Sequence, residues 1–224
     1  MAEYNQIINN YQGRGLPYRD RNDDIRTVVT NLINHMYKRN DLIIKELIDS
    51  YKLYPFIYDI IIDGNNCLIK YDCGEVSFDV FPKVFYDRFC MDVFNLDDLT
   101  GQCHRVSQTI IEACSDYDNI SAITSLCVNT KYLLFFHSYI YDRNEDKILD
   151  FSRRFSMDKT QYDKLFCYKE INNVNYNEFV DKLVNLRYEE NNEGLYPLLY
   201  LAVNELENKK INTDELCGGI RSVK

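Results

Sequence analysis

From Asp20 onward the apolar positions Ile25, Val28, Val29, Leu32, Ile33 and Met36 recur at steps of three and four, the period of a helix with one buried stripe. Asn22 or Asp23 can cap that helix. After "KRND" the same period returns through Leu42, Ile43, Leu47 and Ile48, with Asp41 as the expected cap of a second helix. Residues 1–19, which include "QGRGLPYRD", follow neither period and read as an arm on the surface or on a partner.

The texture then changes. "YPFIYDIIID" ends at the turn signal "GNN", "CLIKYDC" ends at Gly74, and "EVSFDVF" runs to Pro82, which predicts short strands or an irregular connector. "KVFYDRFCMDVF" fits a strand or a helix. Beyond Thr100 the pattern sharpens: Cys103, Val106, Ser107, Ile110, Ile111 and Cys114 fall on one helical face. "ISAITSLCV" (120–128), "YLLFFHSYIYD" (132–142) and "KILDFS" (147–152), separated by "NTK" and "RNED", predict an antiparallel three-stranded meander. A short helix is expected from Ser156 through "SMDKTQYDKLF", two more over "NYNEFVDKLVNLRYEE" and "LYPLLYLAVNELENKK", and a tail over "INTDELCGGIRSVK".

Composition narrows the function classes. The net charge of −9 and pI of about 4.9 oppose a phosphate-binding surface, so nucleic acid is not an expected partner. The longest apolar runs fall far short of the ~20 residues that span a bilayer, and "MAEYNQIINN" lacks the basic and apolar regions of a secretory signal. The expected location is therefore cytoplasmic, with no membrane contact. Eight cysteines (67, 73, 90, 103, 114, 127, 167, 217) are scattered singly, with no C-x2-C pair, and read mostly as reduced thiols packed as small hydrophobes. With histidine only at 35, 104 and 137, no metal site and no cofactor are expected, and His35 reads as a partly exposed structural residue.

One constellation carries chemistry. Thr100 is a natural helix cap that would put Cys103 near the third helical position, where unpaired N–H groups and the helix dipole favour a thiolate. His137 lies 34 positions on, mid-strand in an apolar run, and Asp150 thirteen further. A hairpin turn at 142–146 sets Asp150 beside His137, where a carboxylate fixes the imidazole tautomer and stabilises imidazolium. Taken singly, each of these residues reads as ordinary core packing; their joint spacing points to a triad. His104, a helix neighbour of Cys103, is expected to point some 100° away from the sulfur and not to serve as the base.

These residues resemble the transglutaminase-like branch of the papain-like cysteine fold over roughly 98–155. That family carries Cys at the start of a helix on an antiparallel sheet, His on one strand, often in "HAW" or "HSW", and Asp on the next, often in "DPT". The chain offers "GQCH", "HSYIYD" and "LDFS". The resemblance implies Cys103 as nucleophile, His137 as general base and Asp150 as orienting carboxylate. It departs from the pattern at Tyr139, where Trp is usual, and at Phe151, where Pro is usual; Asp97 occupies the region of the papain-type glutamine. For the oxyanion hole this leaves the Cys103 backbone N–H, with Gln102 as a further candidate.

The expected fold is α+β, a papain/transglutaminase-like core at 96–170 with an N-terminal helical and mixed segment at 1–95 and C-terminal helices and tail at 171–224, together one compact domain. The expected function is a cysteine-dependent hydrolase or acyltransferase acting on an amide of a protein or peptide substrate. The rivals are a non-catalytic interaction protein on the same scaffold and an arylamine-type acyltransferase with the same triad.

Overall fold

The computed structural model describes residues 21–131, 133–188 and 195–208. The expected arm over 1–19 and the whole expected tail, Cys217 included, lie outside them. Helix α1 (Arg21–Tyr37) buries the whole stripe Ile25, Val28, Val29, Leu32, Ile33 and Met36. It is already running at Arg21, so Asn22 and Asp23 lie inside it and do not cap it; Asp23 instead pairs with Arg26 one turn on, at 2.7 Å. Helix α2 (Asp41–Tyr51) is capped by Asn40, whose side chain accepts from the Ile43 N–H, so Asp41 is its first helical residue and not its cap.

Strands β1 (Ile57–Asp63), β2 (Asn66–Tyr71) and β3 (Gly74–Val80) form a meander whose first turn carries Gly64 at φ 60°, a conformation that favours glycine. "KVFYDRFCMDVF" resolves as helix α3 (Lys83–Phe89), which runs on as a π-helical turn over Cys90–Phe94 and stops at Asn95 in the left-handed region. Helix α4 (Cys103–Ala113) leads into β4 (Ile120–Val128), β5 (Leu134–Asp142) and β6 (Lys147–Asp150), the expected meander. Two elements depart from expectation. Ser156 belongs to a strand, β7 (Phe155–Asp158), because it pairs with Asp79 and Leu149; helix α5 (Lys159–Phe166) starts later, capped by Asp158. "CYKEINNV" forms strand β8 (Cys167–Val174). Helices α6 (Tyr176–Asn185) and α7 (Pro197–Asn208) close the described chain.

The protein is thus α+β, built on one eight-stranded antiparallel sheet in the order β1-β2-β3-β7-β6-β5-β4-β8. The two meanders join where β3 pairs with β7 over Phe78–Met157, Asp79–Ser156 and Val80–Phe155. Strand β4 is buried along nearly its full length, which explains why its sequence does not alternate. Ile123 and Cys127 face a core shared with α1 and α5, while Ala122 and Leu126 face cores under α6 and α7. Helix α4 packs on β5 and β4 and is braced by α7.

Candidate active site

The chain enters α4 through a bend at Gly101, φ 77°, a left-handed conformation that β-carbon-bearing residues rarely adopt. That bend delays the helix. Thr100 lies before it, its N–H held by the Asp98 carboxylate, and Gln102 occupies the cap position without a side-chain capping bond. Thr100 is therefore not the cap, and Cys103 is the first helical residue, not the third. Its N–H belongs to the first turn, where no intrahelical carbonyl is available.

The opposite wall is β5. Adjacent residues of a strand point to opposite faces, so His137 faces one side of the sheet with Phe135 and Tyr139, and Ser138 faces the other. Strand β6 pairs with β5 only over Ile140–Asp142 and ends at Asp150, leaving the His137 end of β5 without a strand on that side. The start of α4 packs against β5, and Cys103 and His104 meet side chains from both faces of it.

Asp150 is fully buried and its carboxylate is surrounded by donors. Oδ2 accepts from His137 Nε2 at 2.8 Å and from the Tyr162 hydroxyl at 2.8 Å; Oδ1 accepts from the Ser152 hydroxyl and the Arg153 N–H, both at 3.1 Å. Arg153 Nε lies 3.7 Å from Oδ2, and the same guanidinium donates to the Tyr162 hydroxyl at 3.2 Å and rests on the rings of Phe135 and Phe166. Burial pushes the carboxyl up, but the charge and hydrogen bond of His137, with Arg153 and Tyr162, overcome it and lower Asp150 to about 2.

Asp150 takes Nε2 of His137, and the Cys103 thiol acts on the same ring. Burial would strip the His137 proton, yet the Asp150 charge, together with the hydrogen bonds of Asp150 and Cys103, overcomes burial and the Arg153 charge, and the imidazole is raised to about 9. For Cys103, burial opposes ionisation, and hydrogen bonds from His104 and His137 together with the His137 charge more than offset it, lowering the thiol to about 5. Both shifts favour a thiolate beside an imidazolium. Among the other described cysteines, burial pushes Cys67 up to about 12 and Cys167 up to about 11, and it raises Cys127 well above the ordinary thiol value. Cys103 alone among those with a resolved shift moves down.

Cys103, His137 and Asp150 are therefore brought together on α4, β5 and β6. Gln102 sits half-buried beside Cys103, with its amide uncommitted to the helix cap. His104, expected not to serve as the base, has its Nδ1 2.8 Å from the Ser138 hydroxyl on the far face of β5. Arg153, Tyr162, Ser138 and Thr124 complete the surroundings without having been singled out in the sequence. Ser138 and Thr124 left a faint signal, as hydroxyls inside otherwise apolar buried strands; Arg153 and Tyr162 left none, since a turn and a later helix deliver them. Among the departures from the family pattern, Tyr139 is buried with its hydroxyl on Ser125 at 2.8 Å, and Phe151 packs between Phe81 and Phe89.

His35 is half-buried on α1. Among the described residues no three His, Cys, Asp or Glu side chains converge as a metal site, and no helix is long and apolar enough to cross a membrane. No protein-family model, no curated protein and no solved structure matches this chain.

Proposed function

We propose that this protein is a cysteine-dependent hydrolase or acyltransferase acting on an amide bond of a protein or peptide, with a transglutaminase-like arrangement of its catalytic groups. The observation that carries this reading is the buried His137–Asp150 pair set against a thiol at the first position of α4. Thiolate attack on the amide carbon forms the S–C bond and moves the carbonyl electron pair to oxygen. His137 gives its Nδ1 proton to the nitrogen as the C–N bond breaks, leaving a thioester. Water or an amine then attacks the thioester carbon and gives its proton to His137, the S–C bond breaks, and the Cys103 thiolate is restored. Asp150 keeps the ring in the required tautomer and offsets its charge throughout.

The test combines iodoacetamide labelling with turnover of glutamine-containing peptides, read as ammonia release with and without an added primary amine. Faster labelling of Cys103 than of any other thiol near pH 7, and turnover lost in Cys103→Ala and His137→Ala, supports the reading. Labelling of Cys103 no faster than that of exposed Cys73, unchanged by His137→Ala, sinks it. Stimulation by the amine, with the amine found in the product, assigns acyl transfer over hydrolysis.

A further inference from the structure

The chain turns sharply after the triad carboxylate. The N–H groups of Arg153 and Arg154 both return to the Asp150 carbonyl, at 3.2 and 2.7 Å. Arg154 holds a left-handed backbone, φ 70°, and its own carbonyl accepts from the Phe81 N–H at 2.9 Å. Both arginines reach one cavity of about 150 Å³, walled also by Thr30 and Asn34 of α1, by Thr100 and by Ser152, and otherwise by apolar side chains. Among the described residues, no acidic one lines it.

The two guanidinium groups are not equally occupied. Arg153 is committed to Asp150, to the Tyr162 hydroxyl and to two aromatic rings. In Arg154, Nη2 donates to Asp98 at 2.6 Å, but Nε is buried and meets no acceptor among the described residues. A buried N–H without a partner is costly, and it calls for an acceptor from outside the chain. Asp98 is 44% exposed, so water screens its hold on the guanidinium. Resting on the reading above, we propose that this cavity is a substrate subsite that takes a carboxylate, recognised by Arg154.

Size and position define what can enter. A cavity of this volume matches one that holds a benzene molecule, so it admits one short side chain or a chain end and nothing as large as a nucleotide. A carboxylate brings acceptor oxygens and negative charge together, which suits a guanidinium N–H better than a neutral amide does. The Thr100 hydroxyl and the Asn34 amide add neutral donors on the other walls. Thr100 stands just ahead of the Gly101 bend that opens α4, and Ser152 and Arg153 approach the Asp150 carboxylate to 3.1 and 3.7 Å. The subsite therefore adjoins the triad without containing it. Its occupant belongs to a residue close in sequence to the scissile amide, either an acidic side chain or a free C-terminus. No bond is made or broken there; Arg154 selects the substrate, and Cys103 and His137 perform the chemistry.

The experiment uses three short peptides that share one reactive glutamine: a neutral amidated form, the same with an adjacent glutamate, and the neutral sequence with a free C-terminal carboxylate. Each is titrated into the full chain carrying Cys103→Ala, so that binding is read without turnover, through the arginine Nε–H signals in NMR. At least one carboxylate peptide is expected to bind about tenfold more tightly than the neutral one and to move an Nε–H signal that Arg154→Met removes. Whether the glutamate or the terminus does so names the source of the carboxylate. Arg154→Met is expected to abolish the preference, and Arg154→Lys, which keeps the charge, to retain part of it. Asn34→Asp, which sets a competing carboxylate in the cavity wall, should weaken the favoured peptide about tenfold. In the wild type kcat/KM carries the same preference. Equal binding or equal kcat/KM for the three peptides, or a preference intact in folded Arg154→Met, overturns the proposal; should that variant not fold, a preference unchanged in Asn34→Asp does the same. Failure of the triad is separate: it shows as Cys103 labelling unaffected by His137→Ala, and it leaves the binding preference in place.

Discussion

Asp150 meets His137 diagonally across the β5–β6 pair, not face to face. The register that sets Ile140 against Leu149 puts Asp150 opposite Tyr139, two residues from His137 and on the same face of the sheet. The diagonal separation suits a ring and a carboxylate that must meet side-on, and it places the 2.8 Å contact at the end of β6, where the chain turns away. It also leaves Tyr139 to pack beneath the pair, against Tyr162 at 4.6 Å between ring centres.

The reactivity of Cys103 should follow pH in a way no other described thiol does. With the thiol lowered to about 5, iodoacetamide labelling at Cys103 rises through that pH and is flat at neutrality. Exposed Cys73, raised by the neighbouring Asp72 carboxylate, reacts only in alkali. Turnover adds an alkaline limb, since His137, raised to about 9, loses above that pH the proton it must deliver. Mass-spectrometric labelling rates from pH 4 to 10 read the first, and initial rates read the second.

Asp150→Asn should lower turnover by a factor on the order of 10²–10⁴ while leaving Cys103 open to alkylation, because the tautomer is lost but the thiol is not. The substitution also bears on acid stability. The Asp150 carboxyl is lowered from 3.8 to about 2, so its contribution is fully present above the unfolded value and is lost as pH falls through the folded one. That is on the order of 2 kcal/mol. Urea midpoints of wild type should fall between pH 4 and pH 2 more steeply than those of Asp150→Asn.

Tyr162→Phe removes a buried donor from a carboxylate that keeps its other partners. The loss of the 2.8 Å bond should destabilise the fold by about 1–3 kcal/mol and raise the Asp150 carboxyl. A smaller change than 0.5 kcal/mol by urea unfolding would contradict the role given to this hydroxyl.

Helix caps give a cleaner local check. Asn175 and Glu178 form a reciprocal capping box at the start of α6, so Asn175→Ala should cost about 1 kcal/mol. Thr100→Ala, outside α4 and exposed, should stay within about 0.5 kcal/mol of wild type. Chemical denaturation of both variants compares them directly.

What the sequence disclosed follows from which forces are local. Helical period exposed α1 and the body of α4, and the "RNED" turn set the β5–β6 hairpin closely enough to bring Asp150 to His137. The α4 cap was misplaced because Thr100 has the right chemistry, while Gly101 imposes the bend that delays the helix. Strand β7 was hidden because four residues, "FSMD", owe their form to pairing with Asp79 and Leu149, far away in the chain. The partner of His104 was not legible for the same reason: the Ser138 hydroxyl that meets its ring stands on a strand 34 positions away.

The short β3–β7 seam has a consequence for how the molecule is assembled. Strand β7 lies between β3 and β6, and β6 delivers Asp150, so a fragment beginning near residue 96 would present a bare strand edge one step from the triad carboxylate. Its three residue pairs bridge nearly eighty positions of chain, a long-range closure that forms slowly compared with helices and hairpins. Strand β6, which carries Asp150, thus gains a complete sheet on its β7 side only when the N-terminal meander has docked.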